Sequence, residues 1–181
     1  MCLIRASKER AEEDVTCYKI MFTRRESVDE NGNKRADNDF SGCAFYTPFQ
    51  RQYVPIEVIE GKALFLANEP PKNVDIRQDG YVINGGFIHS YAKLNDALRD
   101  ASATSINASY YGKPVYACVF ECRINKGNDY MAGKVSLRYD DYNKADEELP
   151  DGYASRSIIF VKMIKGIRYN FVREPIPGVY P

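Results

Sequence analysis

The stretch PVYACVFECRI, residues 114–124, decides the fold class because it alternates in the manner of a β-strand. One set of alternate positions is apolar throughout: Tyr116, Cys118, Phe120, Cys122 and Ile124. The other set is apolar at first and polar at its end: Val115, Ala117, Val119, Glu121 and Arg123. Successive side chains of a strand point to opposite faces. We therefore expect a strand that is buried on both faces at its start and on one face thereafter.

Short runs rich in β-branched and aromatic residues lie on both sides of this strand, bounded by Gly, Pro, Asn or Asp. They predict strands over the following residues: 16–24, 62–67, 81–83, 87–90, 134–139, 154–164 and 167–172. Gly166 is expected to separate the last two. Pro48 and Pro55 restrict residues 43–59 to edge strands or packed coil, because proline removes a backbone donor.

Helical periodicity is clearest in residues 91–102, where Leu94, Ala97, Leu98 and Ala101 form one apolar stripe. Ser90 is the expected N-cap. Residues 6–14 are a candidate for a second, short N-terminal helix. These elements predict an α+β fold over residues 1–181: one β-dominated domain with a mostly antiparallel, twisted sheet and one clear amphipathic helix.

Three polar segments interrupt this pattern. Residues 25–42 contain Asn31-Gly32, a pair that favours a tight turn, and are expected to form a polar hairpin or a mobile loop. Residues 140–152 form an acidic connection that we expect to be solvated, and residues 173–181 a proline-rich extended tail.

The charge balance argues against binding to duplex nucleic acid. The chain has 25 Lys and Arg against 25 Asp and Glu, so it has no cationic surplus with which to neutralise phosphates. Its longest apolar runs are too short to cross a bilayer, and we expect no membrane association. The N-terminus lacks the long apolar region of a secretion signal, and the five cysteines are an odd number. A cytoplasmic protein with reduced thiols is the simplest interpretation.

His89 is the single histidine, so any mechanism that needs an imidazole must use it. It follows the Gly85-Gly86 turn and precedes Tyr91 at the expected helix start, which makes these four residues the candidate ligand-binding group. The alternative is a structural histidine that forms a hydrogen bond near the helix cap.

Cysteines and one carboxylate are the other candidates for catalysis. Cys118 and Cys122 are four residues apart, about 13 Å along a strand, which excludes a disulfide between them. Buried thiols are favoured for both. A cysteine-nucleophile hydrolase would use Cys2 or Cys118, and Glu121 is a further catalytic candidate.

Neither a metal site nor a cofactor is expected. One histidine and scattered cysteines do not match a zinc site, and the acidic residues of 140–152 lack the spacing of a calcium loop. The chain also lacks the glycine patterns that bind phosphates or dinucleotides.

Four segments carry a resemblance to other proteins: MCLIRASKERAEEDVTCYKI, GGFIHSY, YACVFECRINKGNDYMAG and YASRSIIFVKMI. Together they resemble small bacterial and phage proteins that share the MCL start and a glycine-aromatic-x-His centre. This resemblance implies no activity.

A second likeness is to ADP-ribosyltransferase-like folds, in the order of a strand histidine, a following helix, a strand that ends in Glu121 and the later pair Ser155 and Ser157. It implies that His89 contacts the nicotinamide ribose of NAD. Ser90 and Tyr91 stand where that family has glycine and threonine.

The leading functional hypothesis is an accessory domain that binds a small molecule or a partner protein around His89 and Tyr91. It is based on the 14 tyrosines, because tyrosine provides a large contact area at low entropic cost. The neighbouring candidates are Tyr46, Tyr53, Tyr110, Tyr111 and Tyr139. The alternatives are the NAD-using enzyme centred on His89 and the cysteine hydrolase.

Overall fold

The strand predicted at residues 114–124 lies inside the sheet as Val115–Ile124, with a neighbour on each side. The computed structural model describes residues 2–23, 45–46, 52–53, 57–59, 62–67, 72–77, 80–103, 115–137 and 139–169. Some of the predictions fall outside these residues: the ligand-site candidates Tyr110 and Tyr111, the polar segment 25–42 and the tail 173–181.

Thirteen strands and one α-helix make up the described part of the chain. The strands are β1 Cys2–Arg10, β2 Val15–Thr23, β3 Phe45–Tyr46, β4 Gln52–Tyr53, β5 Glu57–Ile59, β6 Lys62–Leu66, β7 Lys72–Arg77, β8 Gly80–Gly85, β9 Ile88–Tyr91, β10 Val115–Ile124, β11 Asp129–Ser136, β12 Asp151–Ser155 and β13 Ser157–Tyr169. Helix α1 is Leu94–Ala103, and two 3-10 turns cover Tyr139–Asn143 and Asp146–Glu148. The predicted α+β class, dominated by strands, is confirmed.

The strands form one sheet in the order β5-β6-β13-β10-β2-β9-β12-β11-β1-β8-β7, and β3 and β4 extend from β2 beside this path. Every described pair is antiparallel, as the sequence predicts. Strands β8 and β9 are joined only by Gly86 and Phe87, yet three other strands lie between them in the sheet order. The sheet therefore curls so that β8 returns towards β9.

Both faces of β10 are buried, and each belongs to a different core. The helix-side core is formed by Leu3, Ala6, Ile20, Ile83, Tyr91, Ala97, Ala101, Ala117, Val119, Met131, Val135 and Ala154. The far-side core is formed by Cys17, Met21, Phe65, Ile88, Cys118, Phe120, Cys122, Ile124, Ile158 and Phe160. The ring of Phe160 stacks against Phe65 and Phe120, with centroid distances of 4.3 and 4.8 Å. This division confirms the two-faced burial predicted from the alternation in β10.

The prediction of a short helix over residues 6–14 is wrong, because this segment begins inside β1. Strand β1 pairs with β11 on one side and with β8 on the other. So short a helix gains little without tertiary packing, whereas two ladders satisfy the backbone of a strand on both edges. A register shift between Ile4 and Ser7 accommodates Arg5, which has a positive φ of 50°.

Helix α1 confirms the predicted apolar stripe but begins at Leu94, three residues later than expected. Ser90 is not its N-cap, because it lies in β9 opposite Tyr153 of β12. The ladder continues past β9, where the Ala92 N–H donates to the Asp151 carbonyl oxygen at 2.9 Å. Pairing across the sheet thus prevents the chain from turning into a helix before this point.

The C-terminal strands also differ from the prediction. Gly166 does not break a strand pair, since β13 is continuous and Gly166 lies opposite Cys118 of β10. A glycine inside the strand is tolerated here because the residues on both sides of it also pair with β10. The acidic segment 140–152 is not uniformly solvated: the buried Asp141 carboxylate accepts the Leu137 N–H at 2.8 Å and the Lys144 ammonium at 2.6 Å.

Within the described ranges, no helix has the length and apolar character needed to cross a membrane.

Gly152 lies where the curled sheet leaves no room for a side chain. A Cβ there would lie 2.7 Å from the Ser90 carbonyl oxygen and would also collide with Val135 Cγ2. We expect Gly152→Ala to lower the free energy of unfolding by about 1–3 kcal/mol, measured by urea denaturation. The exposed Lys126→Ala should change it by less than about 0.5 kcal/mol. Equal stabilities of the two variants would contradict this packing.

Candidate functional site

His89, the single histidine, lies in β9 and is buried. Its side chain points to the same face as Tyr91, because residues two apart in a strand share a face. The His89 Nε2 atom is 3.0 Å from the Ile83 carbonyl oxygen of β8. The ring therefore connects β9 to a strand that is not its neighbour in the sheet.

This hydrogen bond fixes the protonation of the ring. A carbonyl oxygen only accepts, so Nε2 must carry the hydrogen. Burial, together with the smaller effect of the Lys19 ammonium, lowers the pKa of His89 to about 4, although the bond to Ile83 acts in the opposite direction. At neutral pH the ring is thus neutral with its hydrogen on Nε2.

Lys19 of β2 holds the backbone of the same residue. Its Nζ donates to the His89 carbonyl oxygen at 2.6 Å, and the side chain is only 6% exposed. Burial lowers the pKa of Lys19 to about 8, while the neighbouring thiols of Cys122 and Cys17 act to raise it. Residue 89 is consequently bonded to β2 through its carbonyl group and to β8 through its ring.

Two thiols lie beside this lysine in the far-side core. Cys17 of β2 and Cys122 of β10 are direct partners in the antiparallel register. Burial raises the pKa of Cys17 to about 11, and the Ser90 hydroxyl and the Lys19 ammonium oppose that rise. Burial also raises the pKa of Cys122 well above its usual value. Both are therefore protonated thiols at neutral pH.

Tyr91, the other predicted ligand-binding side chain, is 1% exposed in the helix-side core. Its hydroxyl donates to Asp100 Oδ2 of helix α1 at 2.9 Å. Burial and the Asp100 carboxylate raise the pKa of Tyr91. The tyrosine thus attaches the helix to the sheet and does not face solvent.

The structure brings Tyr91 and Glu121 into one row but does not place Cys2 or Cys118 there. Tyr18 of β2 lies opposite Tyr91 on one side and opposite Glu121 on the other. Glu121 is half-buried and forms an ion pair with Lys162, with 3.2 Å between Oε2 and Nζ. Cys118 lies in the far-side core, and Cys2 lies on β1 opposite Ser136.

Gly85 is the last residue of β8, and Gly86 lies in the turn that leads to β9. The positive φ of 73° at Gly86 favours glycine, because other residues rarely adopt that conformation. The Gly86 carbonyl oxygen accepts a hydrogen bond from the Arg156 guanidinium. The turn therefore brings the Ile83 carbonyl oxygen within reach of the His89 ring.

The sequence did not reveal that Lys19 binds the backbone of His89, or that Cys17 and Cys122 are register partners. The sequence did contain a signal for the burial of Lys19, because its neighbours on the same face of β2, Cys17 and Met21, are apolar. No signal for the thiol pair was present in one sequence, because the register between two distant strands depends on the complete fold.

The part of the chain that the structure describes contains no group of three or more histidine, cysteine or carboxylate side chains that could hold a metal ion. Comparison with protein families, curated proteins and solved structures gives no match for this chain.

His89 makes stability depend on pH. Below pH 6.5 the unfolded chain takes up a proton on this ring, but the folded protein does so only near pH 4. The unfolded state binds more protons in this window, so stability falls as the pH falls. We expect a loss of about 3 kcal/mol between pH 6.5 and 4 from this group, measured by urea denaturation.

His89→Gln is the control for this pH effect, because an amide N–H can still donate to Ile83 but does not titrate. The variant should have a smaller loss of stability over the same pH window. Parallel curves for the two proteins would show that His89 has an ordinary pKa in the folded state.

The bond from Tyr91 to Asp100 should also be measurable. Tyr91→Phe removes the hydroxyl and leaves the Asp100 carboxylate with one fewer donor in a buried position. We expect a decrease of about 1–3 kcal/mol in the free energy of unfolding at pH 7. Tyr18→Phe, in the same row but half-buried, is the matched control and should cost less. Equal costs would contradict the proposed link between helix and sheet.

Proposed function

We propose that the chain is an accessory binding domain that holds a small molecule on the helix side of the sheet, over the row formed by Tyr91, Tyr18 and Glu121. The observation that supports this most directly is the register: Tyr18 has Tyr91 opposite it in β9 and Glu121 opposite it in β10. Tyr91 is buried at the inner end, whereas Tyr18 and Glu121 are half-buried. A ligand would reach Tyr18 and Glu121 from solvent.

The chemistry of this row suits a molecule with a flat ring or sugar face and polar substituents. The Tyr18 ring packs against the helix-side core, so a ligand face that contacts it meets a preorganised aromatic surface. The Glu121 carboxylate accepts hydrogen bonds from hydroxyl or amino groups. Its partner Lys162 is exposed, so their ion pair can yield to a ligand at little cost.

A small molecule is favoured over a protein partner by the distribution of apolar surface. The centre of a protein interface is usually a continuous apolar area. Among the described residues, the large hydrophobic side chains that are exposed are Leu66 and Leu137, which belong to separate strands or their ends. The half-buried Tyr18 provides a contact area that is nearer the size of a single ring.

The two enzyme alternatives remain predictions. Each would require a change in the contacts of its candidate residue. In the ADP-ribosyltransferase-like alternative, a ribose would have to displace the bond from His89 to Ile83. In the hydrolase alternative, Cys118 would have to become accessible from the far-side core, or Cys2 would have to act from β1.

A thermal-shift panel tests this proposal. The probes are adenosine, AMP, NAD, glucose, galactose and N-acetylglucosamine, each added to the purified chain. A ligand that binds only the folded state raises the melting temperature by mass action, by an amount equivalent to about 2.7 kcal/mol at a hundred times its Kd. We expect at least one probe to raise it, and Tyr18→Ala and Glu121→Gln to reduce that rise.

Tyr153→Ala is the matched control, because Tyr153 is a half-buried tyrosine that packs against the far-side core, 5.5 Å from the Tyr130 ring. It should keep the ligand-dependent rise. A panel in which no probe shifts the melting temperature would contradict the proposal. A shift by NAD that His89→Gln abolishes and Tyr18→Ala retains would instead support the NAD-using enzyme.

A further inference from the structure

We propose that Cys17 and Cys122 form a redox-active dithiol, which closes to a cross-strand disulfide when a peroxide or a low-molecular-weight disulfide oxidises the protein. The two residues are direct partners in the register of β2 and β10. Both side chains belong to the far-side core and are 0% and 1% exposed. Both thiols are reduced in the structure. This inference is independent of the proposed binding row, which lies on the other face of the sheet.

The backbone geometry already suits the cross-link. Directly opposed residues of antiparallel strands have Cα atoms about 4.5–5.5 Å apart. A disulfide joins Cα atoms about 4.4–6.8 Å apart, so the usual spacing of register partners falls within the range that the bond spans. Cys118 provides the contrast: it lies on the same face of β10, but its register partner is Met21.

Charged and polar groups around the thiols favour their reaction. Lys19 is the next residue on this face of β2, and its ammonium lowers the pKa of both thiols against the larger effect of burial. A positive charge beside a thiol stabilises the thiolate, which is the reactive form. The Ser90 hydroxyl acts on Cys17 in the same direction. When β2 and β10 separate transiently and admit an oxidant, these groups are already beside the sulfur atoms.

The reaction balances with either oxidant. Hydrogen peroxide oxidises one thiolate to a sulfenic acid and releases hydroxide; the second thiolate then displaces the sulfenic oxygen as a second hydroxide and forms the S–S bond. The two protons lost when the thiols ionised convert both hydroxide ions to water. The two thiols lose two protons and two electrons in total, and the peroxide becomes two water molecules. A small disulfide reacts by two successive exchanges and leaves as two small thiols.

Closing this bond would link two neighbouring strands inside the sheet across about a hundred residues of chain, which restricts the unfolded state strongly. Oxidation should therefore raise the melting temperature, and reduction should reverse the rise. The protein would then have two stabilities, set by the redox state of its surroundings.

The test uses the purified full chain, treated while folded with oxidised glutathione and, separately, with hydrogen peroxide. Digestion without reduction, followed by mass spectrometry, should show a peptide that joins Cys17 to Cys122 and is two hydrogens lighter than its reduced parts. The melting temperature should rise by several degrees and return after dithiothreitol.

Cys118→Ser is the matched control, because it removes a buried thiol from the same face of the same strand. It should retain both the linked peptide and the rise in melting temperature, whereas Cys17→Ala should lose both. If Cys17→Ala does not fold, the linked peptide and the melting temperature of the unmutated chain still test the proposal. A mixed disulfide with glutathione on one residue alone, a link to Cys2, Cys43 or Cys118, or no cross-link in folded protein would each overturn it.

Discussion

Residue 89 holds three strands together, and the rest of the structure depends on that connection. The Lys19 ammonium of β2 donates to its carbonyl oxygen, and its ring donates to the Ile83 carbonyl oxygen of β8. The path from β9 to β8 through the sheet passes over β12, β11 and β1. The ring bond joins the two ends of this path directly, so the helix-side core is enclosed by a curled sheet and covered by α1.

This connection places a positive charge inside the protein, and that charge explains several other properties. An ammonium group loses its hydration on burial, which is costly unless protein acceptors replace the water. The His89 carbonyl oxygen provides part of that replacement. Burial is the main cause of the lowered pKa of His89, and the same charge lowers this pKa as well, so the ring is neutral at physiological pH. A buried, neutral and bonded imidazole stabilises strands and is poorly placed to transfer protons.

The fold was predictable to the extent that local patterns determine it. The alternation in β10 predicted a strand buried on two faces, and the stripe from Leu94 to Ala101 predicted the helix. Predictions failed where pairing across the sheet outweighed local preference: residues 6–10 continue a strand, Ser90 belongs to β9, and Gly166 lies within β13. In each case the satisfied backbone ladder outweighs a weak local signal.

The candidate site was less predictable. His89 was identified because it is the single histidine, but its partners Lys19 and Ile83 lie on strands whose positions depend on the whole sheet order. The rows Tyr91–Tyr18–Glu121 and Cys17–Cys122 likewise follow from register. Register is determined by the combined packing of all strands and cannot be read from alternation alone.

Nitrogen NMR of the protein labelled with ¹⁵N-histidine tests the central connection most directly, because one histidine gives one set of ring signals. At pH 6 we expect a neutral ring whose hydrogen resides on Nε2 and exchanges slowly with water. A ring that is protonated at pH 6, or that averages rapidly between its two neutral forms, would show that the bond to Ile83 does not hold β8 against β9.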